Sequence, residues 1–227
     1  MKIQIFITLM IIALFKFMPN QDLISLPPDY VYLTPGVETP FAEFKSIDFD
    51  AVASVFYQKG DKYSVRLECP DNMVDHIKFK VEEQELKIKS DKKNSHKISV
   101  YITSPDLYSV EIDGVGSFNS TEPLFLNHDF EFEHNGVGSV TIENLECLNC
   151  KIEKDGVGSS YLSIKAKNID LDVDGVGATE LNVDCDFIKI DKDGVGSLTV
   201  TGKTGFYQIE KNGVGSVNTS KLTSINQ

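Results

Sequence analysis

Residues 150–177 read CKIEKDGVGSSYLSIKAKNIDLDVDGVG, so that the tetrapeptide Asp-Gly-Val-Gly appears twice, nineteen residues apart. The wider motif Asp/Asn-Gly-Val-Gly-Ser/Ala occurs six times, and its first glycines are Gly114, Gly136, Gly156, Gly175, Gly194 and Gly213. Successive copies are separated by 22, 20, 19, 19 and 19 residues. A near-constant period of this length is typical of proteins in which one structural unit stacks on the next. This repeat therefore decides the fold class.

Alternating apolar and polar residues lead into each motif. The position six residues before the first glycine is mostly apolar and holds Tyr108, Phe130, Cys150, Ile169, Ile188 and Tyr207. The position four residues before it holds Val110, Phe132, Ile152, Leu171, Ile190 and Ile209, and the position between the two is polar. A period of two predicts a half-buried strand in which both columns point inward. After the motif, Ile142, Leu162, Leu181 and Val200 predict a second strand, so each unit has two strands and two turns.

The paired glycines of each motif predict a tight corner between the two strands. They are Gly114 and Gly116, Gly136 and Gly138, Gly156 and Gly158, Gly175 and Gly177, Gly194 and Gly196, and Gly213 and Gly215. Glycine adopts positive φ at little cost and lets neighbouring backbones approach closely. We therefore expect these structural turn residues to tolerate no side chain, with positive φ at a first glycine such as Gly175. The valines between the glycines are predicted to stack into an apolar column of their own.

Two architectures fit this pattern. A β-solenoid stacks equivalent strands about 4.8 Å apart, so six coils rise roughly 29 Å. A meander of hairpins would also place Asp-Gly turns between strands. Equal unit lengths and columns of like residues favour the first architecture. The predicted fold class is an all-β, single-domain β-solenoid with Gly-Val-Gly corners repeating every 19–22 residues.

The sequence before the repeat divides into further segments. Lys2 and the apolar run 3–15 predict a signal peptide over residues 1–18, with an uncleaved anchor as the alternative. Residues 19–38 hold four of the eight prolines and are predicted to form a linker or arm. No second apolar run is long enough to span a membrane, so the mature chain is predicted to have no transmembrane domain.

The β-helix domain is predicted over residues 39–227. Its first part, residues 39–109, lacks the period and is predicted as an irregular β portion, and residues 110–222 form the six-motif repeat. Strands in the irregular portion are predicted at 51–56, 63–68, 86–89 and 98–103, where β-formers lie between turn signals.

Composition excludes several classes of function. The chain has 22 basic and 34 acidic residues and a formal net charge of −12, whereas nucleic-acid binding needs a basic surface, so nucleic acid is excluded as the main partner. Cys147 and Cys150 form a Cys-x-x-Cys motif, but no second half of a zinc site accompanies it. Cys147 and Cys185 are 38 residues apart, or two coils, which predicts no disulfide between them. No metal site, cofactor or catalytic residue is predicted.

The position three residues before each first glycine is acidic in all six units. These residues are Glu111, Glu133, Glu153, Asp172, Asp191 and Glu210. The inward–outward alternation of the strand predicts that they point outward and stack about 4.8 Å apart. Such a column of negative charges should raise some of the carboxyl pKa values or attract cations. One interpretation is a weak stripe for calcium ions, which prefer oxygen ligands. The other is a solvated surface whose neutralising neighbours are Lys151, Lys154, Lys189 and Lys192.

A characteristic order of segments surrounds the repeat. It begins at Phe44-Lys-Ser-Ile-Asp, passes through Gln58-Lys-Gly-Asp-Lys-Tyr-Ser-Val and Ile98-Ser-Val-Tyr-Ile-Thr-Ser-Pro-Asp-Leu, and ends in Ser-Lys-Leu at 220–222. Together with the Gly-x-Gly turns, this order resembles the auto-transporter adhesin head GIN domain family over about residues 40–222. The resemblance implies a two-sheeted β-helix similar to pectin-lyase-like folds, export in Bacteroidetes-type bacteria, and no shared catalytic residues.

The sequence predicts an exported, non-catalytic protein of the cell envelope or surface that serves as an adhesin or binding scaffold. The expected partner is a surface ligand, either protein or glycan, with self-association along a sheet face as a further interpretation. The alternative function is a polysaccharide lyase or hydrolase on a β-helix, since paired carboxylates supply an acid and a base. A lyase also needs basic groups to neutralise a uronate, and Arg66 is the single arginine. The chain has no tryptophan, and Tyr161 is the outward aromatic candidate for stacking on a sugar.

Overall fold

The computed structural model describes residues 30–90 and 98–225. The signal peptide predicted over residues 1–18 and the first part of the predicted arm lie outside the described residues. The described ranges form seventeen strands and one 3₁₀ helix, Asp71–His76. The strands are β1 (Glu38–Pro40), β2 (Ser46–Asp50), β3 (Ser54–Lys59), β4 (Ser64–Glu68), β5 (Ile77–Glu82), β6 (Glu85–Ser90), β7 (Ser99–Ser104), β8 (Ser109–Ile112), β9 (Phe118–Ser120), β10 (Leu124–Phe125), β11 (Phe130–His134), β12 (Val140–Glu146), β13 (Asn149–Lys154), β14 (Ser160–Val173), β15 (Thr179–Lys192), β16 (Val195–Lys211) and β17 (Val214–Ser224).

Parallel strands wind into a β-solenoid of two walls. The motif wall leads into the Gly-Val-Gly corners and contains β2, β8, β11, β13 and the second halves of β14, β15 and β16. The return wall follows the corners and contains β3, β9, β12, the first halves of β14, β15 and β16, and β17. The predicted β-solenoid is confirmed and the hairpin meander is wrong, because equivalent strands of successive units pair in parallel.

The predicted apolar columns fill the space between the walls. Phe130 pairs with Cys150, and Cys150 pairs with Ile169, so Cys150 lies in the core as predicted. Ala166 pairs with Cys185 and occupies the coil between Cys147 and Cys185, and all four cysteines are free thiols. The repeat register therefore predicted the core, including the absence of a Cys147–Cys185 disulfide.

The corners stack directly on one another, and this excludes side chains at both glycines. A Cβ atom on Gly175 would lie 2.1 Å from the carbonyl oxygen of Gly156, and one on Gly177 would lie 2.1 Å from that of Gly158. Positive φ belongs to the second glycine of each motif, for example +139° at Gly177, and not to the first. The prediction of positive φ at Gly175 is therefore wrong, because at that position the neighbouring backbone, and not the φ angle, excludes a side chain.

A seventh corner precedes the six glycine motifs. Residues Ala51, Val52 and Ala53 lie beneath Gly114, Val115 and Gly116, and Val52 bridges to Val115 in parallel. The Cβ atom of a corner residue points towards the corner of the preceding coil. Among the described residues no Gly-Val-Gly corner precedes residues 51–53, so the alanine side chains meet no corner backbone. Part of the segment predicted as irregular, residues 39–109, thus forms a coil of the solenoid.

Antiparallel strands complete the N-terminal part. β1 and β7 flank β4, and β5 pairs with β6, all in antiparallel orientation. The predicted strands at 63–68, 86–89 and 98–103 correspond to β4, β6 and β7 within one residue at nearly every end. The strand predicted at 51–56 starts three residues too early, because its first residues form the alanine corner.

Candidate functional site

The acidic column is continuous along the motif wall. Its parallel register pairs Glu111 with Glu133, Glu133 with Glu153, Glu153 with Asp172, Asp172 with Asp191, and Asp191 with Glu210. Asp48 of the alanine-corner coil adds a seventh carboxylate below Glu111. We call these seven residues the acidic ladder. All of them reach the surface, which confirms the outward direction predicted from parity.

Burial first, and neighbouring like charges second, raise pKa values within the ladder. Partial burial, followed by the nearby carboxylates of Asp174 and Asp191, raises the pKa of Asp172. Burial also raises the pKa of Glu111, and the carboxylates of Asp113 and Glu133 add to this. Within residues 30–90 and 98–225, no three acidic, histidine or cysteine side chains converge to hold a metal ion. The calcium stripe therefore stays a prediction.

Neutralisation of the ladder differs from the prediction. Lys151 Nζ lies 2.7 Å from a carboxylate oxygen of Glu131 and 2.7 Å from one of Glu153, as expected for a surface lysine. Lys154 and Lys192, however, point into the core and are only 2% and 1% exposed. Each lies two residues before the first glycine of its motif, and the alternation of the strand makes the side chain at that position point inward. The prediction that these two lysines neutralise the ladder is wrong.

A buried basic pair results from this inward column. His134 pairs with Lys154 on the next coil, and the ring of His134 is 1% exposed. Neither Lys154 Nζ nor His134 Nδ1 has a hydrogen-bond partner among the described residues. No aspartate or glutamate of those residues lies wholly in the core, although Asp191 buries its Oδ1 atom. Burial lowers the pKa of Lys154, and burial together with the charge of Lys154 lowers the pKa of His134 to about 4.

Asp172→Asn combined with Asp191→Asn should stabilise the fold by about 1 kcal/mol at low salt, because neighbouring carboxylates in a ladder repel one another. Added salt should shrink this gain through screening. Urea denaturation at two salt concentrations measures both effects, and Glu180→Gln on the return wall is the control. A salt-independent gain would contradict repulsion within the ladder.

Calorimetric titration with calcium tests the ion stripe. Heat in the parent chain that disappears in the double variant supports calcium binding, and no heat supports a solvated surface.

An open groove of about 720 Å³ runs along the same wall, beside the ladder. Two outward columns form its sides. One side is built from Tyr108, Asp129, Asn149, Asn168 and Phe187, and the other from Ser109, Glu131, Lys151, Asp170 and Lys189. We call this feature the wall groove. It crosses five coils, from β8 to β15, which corresponds to roughly 19 Å along the solenoid axis.

Aromatic rings lie at both ends of the wall groove. Tyr108 is stacked on His128 with ring centroids 3.6 Å apart and planes 3° apart. His128 is itself fixed, since Nδ1 donates to the carbonyl oxygen of Asp129 at 2.7 Å and Nε2 lies 2.8 Å from Asp106 Oδ1. At the other end Phe187 is stacked on Phe206 with ring centroids 6.0 Å apart. Each end therefore presents an aromatic ring backed by a second ring.

Side-chain amides connect the two ends. Asn149 Nδ2 donates to Asp129 Oδ1 at 2.7 Å, and Asn168 Nδ2 donates to Asn149 Oδ1 at 2.7 Å. Each of these groups keeps unused hydrogen-bonding capacity, because a carboxamide has two donors and two acceptor lone pairs. The amides are thus held in place while still able to bind a polar ligand.

Sequence reasoning missed this site for a specific reason. Tyr108 was assigned to the inward column, but it is 40% exposed, and Leu107 takes the buried position. The residues after Tyr108 keep the common register, because Ser109 pairs with Glu131 and Val110 with Phe132, so the repeat spacing gave no signal that Tyr108 turns outward. Tyr161 is exposed on the return wall, as predicted, but it lies outside the wall groove.

Comparisons with known proteins agree with this geometry. A solved "putative adhesin" from Bacteroides fragilis has a TM-score of 0.67 and 25% identity, over 80% of this chain and 94% of that chain. A "putative adhesin" from Parabacteroides distasonis has the same fold, with a TM-score of 0.52 and 15% identity over 80% of this chain and 94% of that chain. No curated protein matches the chain.

The family comparison extends over nearly all of the solenoid. A family model described as "Putative auto-transporter adhesin, head GIN domain" matches residues 43–226. That range contains the alanine corner, all six glycine corners, the acidic ladder and the wall groove. The chain therefore belongs to the auto-transporter adhesin head GIN domain family.

Proposed function

We propose that this chain is an exported, non-catalytic binding scaffold of the cell envelope or surface, and that the wall groove is its ligand site. The observation that supports the proposal is an open groove with aromatic ends and a row of fixed side-chain amides on a continuous wall of parallel strands. Concave surfaces with a few fixed polar groups are the usual form of ligand sites. The family and its solved members, which are named as adhesins, support a role in surface binding.

Several features favour binding over catalysis. Of the three carboxylates that line the groove, Glu131 and Asp170 each lie beside a lysine, at 2.7 Å from Lys151 and 3.8 Å from Lys189. The third, Asp129, accepts hydrogen bonds from the backbone and side-chain amides of Asn149. A glycosidase needs a carboxylic acid that is free to give its proton to the leaving group, opposite a second carboxylate. Ion-paired side chains do not provide this arrangement.

Among the described residues, no helix has the length and apolar character needed to cross a bilayer.

Two measurements on the native host and the purified chain test this proposal. Brief protease treatment of intact cells should release peptides of the solenoid, because a surface scaffold is accessible from outside. The purified chain should release no reducing ends or unsaturated sugars from a panel of neutral and acidic polysaccharides. Turnover proportional to protein concentration, and abolished by Glu131→Gln or Asp170→Asn, would establish the enzyme alternative. Recovery of the chain only from the cytoplasm would contradict export.

A further inference from the structure

We infer that the wall groove binds a short, linear, neutral oligosaccharide that spans the distance between its two aromatic ends. This inference rests on the proposed function, because it names the ligand class of the same site.

The aromatic ends have the form that sugar stacking requires. Tyr108 lies flat against His128, and Phe187 lies against Phe206 with planes 11° apart, so each ring is held in place by a second ring. Lys45 Nζ lies 5.7 Å from the centroid of the Tyr108 ring, and this flexible side chain moves aside when a sugar stacks there. Tyr108 is 40% exposed, whereas Phe187 is partly buried and Phe206, which packs against it, lies outside the groove lining. Rigid aromatic surfaces provide contact area at a low entropy cost on binding. The apolar C–H face of a sugar ring fits such a surface.

The amides between the rings fit the hydroxyl groups of a sugar chain. Asp129, Asn149 and Asn168 form a row that advances one residue per coil, parallel to the groove. Their mutual hydrogen bonds hold the side chains in register before any ligand arrives, so little rotamer freedom is lost when it binds. Each Asn retains donors and acceptors, and a hydroxyl group needs both. A row of alternating donors and acceptors therefore matches a linear polyhydroxyl chain.

Charge in and around the groove selects a neutral ligand. The carboxylates of Glu131 and Asp170 are matched by the ammonium groups of Lys151 and Lys189, so the second side of the groove carries no net charge. The acidic ladder lies one outward column further along the same strands. Its seven carboxylates repel polymers of uronate or sulfated sugars, because like charges in adjacent positions cost free energy. The charges around the wall groove therefore disfavour the binding of anionic glycans.

A peptide fits this groove less well. Extended peptides commonly bind by adding a strand to a free sheet edge, where the backbone supplies most of the affinity. Each strand that lines the groove, from β8 to β15, is already paired with a neighbour on both sides. The groove therefore offers side chains but no unpaired backbone, which favours a sugar chain over an extended peptide.

The test measures binding of the purified chain to soluble neutral tetrasaccharides by titration calorimetry. The neutral probes are the β-1,4-linked tetramers of glucose, mannose and xylose and the α-1,4-linked tetramer of glucose. Tetragalacturonate tests whether an acidic sugar binds, and the matching disaccharides test whether binding needs the full length. At least one neutral tetrasaccharide should bind, and tighter than both its disaccharide and tetragalacturonate. Tyr108→Ala and Phe187→Ala should each weaken binding about tenfold, since a stacked aromatic contact has this size.

The controls separate the groove from the rest of the surface. Tyr161→Ala removes an exposed tyrosine on the return wall and should leave the affinity unchanged. Asn168→Ala provides a second groove variant in case a ring substitution disturbs the fold, and melting curves check each protein. Failure of every neutral tetrasaccharide to bind, tighter binding of tetragalacturonate, or an equal loss in Tyr161→Ala would overturn the inference. If the chain is nevertheless found at the cell surface without turnover, the exported, non-catalytic scaffold of the proposed function stands, and what fails is the assignment of a neutral sugar to the wall groove.

Discussion

Gly158→Ala is expected to lower the free energy of unfolding by about 4 kcal/mol or to prevent folding altogether. A Cβ atom at this position would lie 1.7 Å from the carbonyl oxygen of Gly138, which is backbone and cannot move away alone. The φ angle of +144° adds strain, since residues with a side chain rarely adopt it. Both effects act at a corner that has identical corners packed above and below it. Chemical denaturation of the variant beside the parent chain measures the loss.

Two other glycines separate the two causes. Gly36 has a φ of +74° but no atom within 4 Å of its Cβ position, so Gly36→Ala should cost only about 1 kcal/mol. Gly175 has no positive φ, but its Cβ would lie 2.1 Å from the Gly156 oxygen, so Gly175→Ala tests crowding alone. We expect the order of loss to be Gly158, then Gly175, then Gly36. Equal small losses in all three variants would show that the corners do not stack in this register.

Replacement of the buried His134 by leucine should remove most of the loss of stability that the parent chain undergoes between pH 6.5 and pH 4. Burial lowers the pKa of His134 to about 4 from its usual 6.5. Within this window the unfolded chain binds the proton and the folded chain does not, so the free energy of unfolding falls as the pH falls. The loss reaches about 3 kcal/mol, at 1.36 kcal/mol for each unit of pKa shift. Leucine fits the column, because His134 lies beside Ile112 of the preceding coil and the column continues beyond Lys154 with the aliphatic Val173.

The acidic ladder acts in the opposite direction, and the comparison of two chains removes its contribution. Glu111 and Asp172 have raised pKa values, so their effect favours the folded state at low pH and is lost as the pH rises through the folded-state pKa. Both carboxylates are present in the parent chain and in His134→Leu. The difference between the two unfolding free energies, measured by urea denaturation from pH 4 to pH 7.5, therefore isolates His134. Parallel curves would mean that His134 is accessible to protons in the folded chain.

The repeat made most of the solenoid predictable. A period of nineteen or twenty residues places Phe130, Cys150 and Ile169 in one column, and twice nineteen residues separate Cys147 from Cys185, which is two coils. The alanine corner was harder to recognise, because Ala51 and Ala53 replace both glycines. The acidic residue Asp48, three positions before Ala51, and Val52 keep the motif's pattern and could have revealed this first coil.

The candidate site was less predictable because it depends on departures from the repeat. Alternation correctly places the position of Lys154 inward, but a lysine is normally assigned to the surface, and only packing shows that it is buried. Tyr108 is exposed although Ser109 and Val110 after it keep the repeat register, and the buried Leu107 fills the core beside it. The stacking of Tyr108 on His128 joins residues of neighbouring coils twenty positions apart, which no local pattern predicts.

Nuclear magnetic resonance titration of the parent chain with the tightest neutral tetrasaccharide tests the central claim most directly. The account predicts that the side-chain amide signals of Asn149 and Asn168 and the ring signals of Tyr108 shift together and saturate together. The ring signals of Tyr161, on the opposite wall, should stay in place. Shifts at Tyr161 with an unchanged groove, or no saturating shift at Asn149 and Asn168 with any neutral tetrasaccharide, would contradict the claim that the wall groove is the binding site.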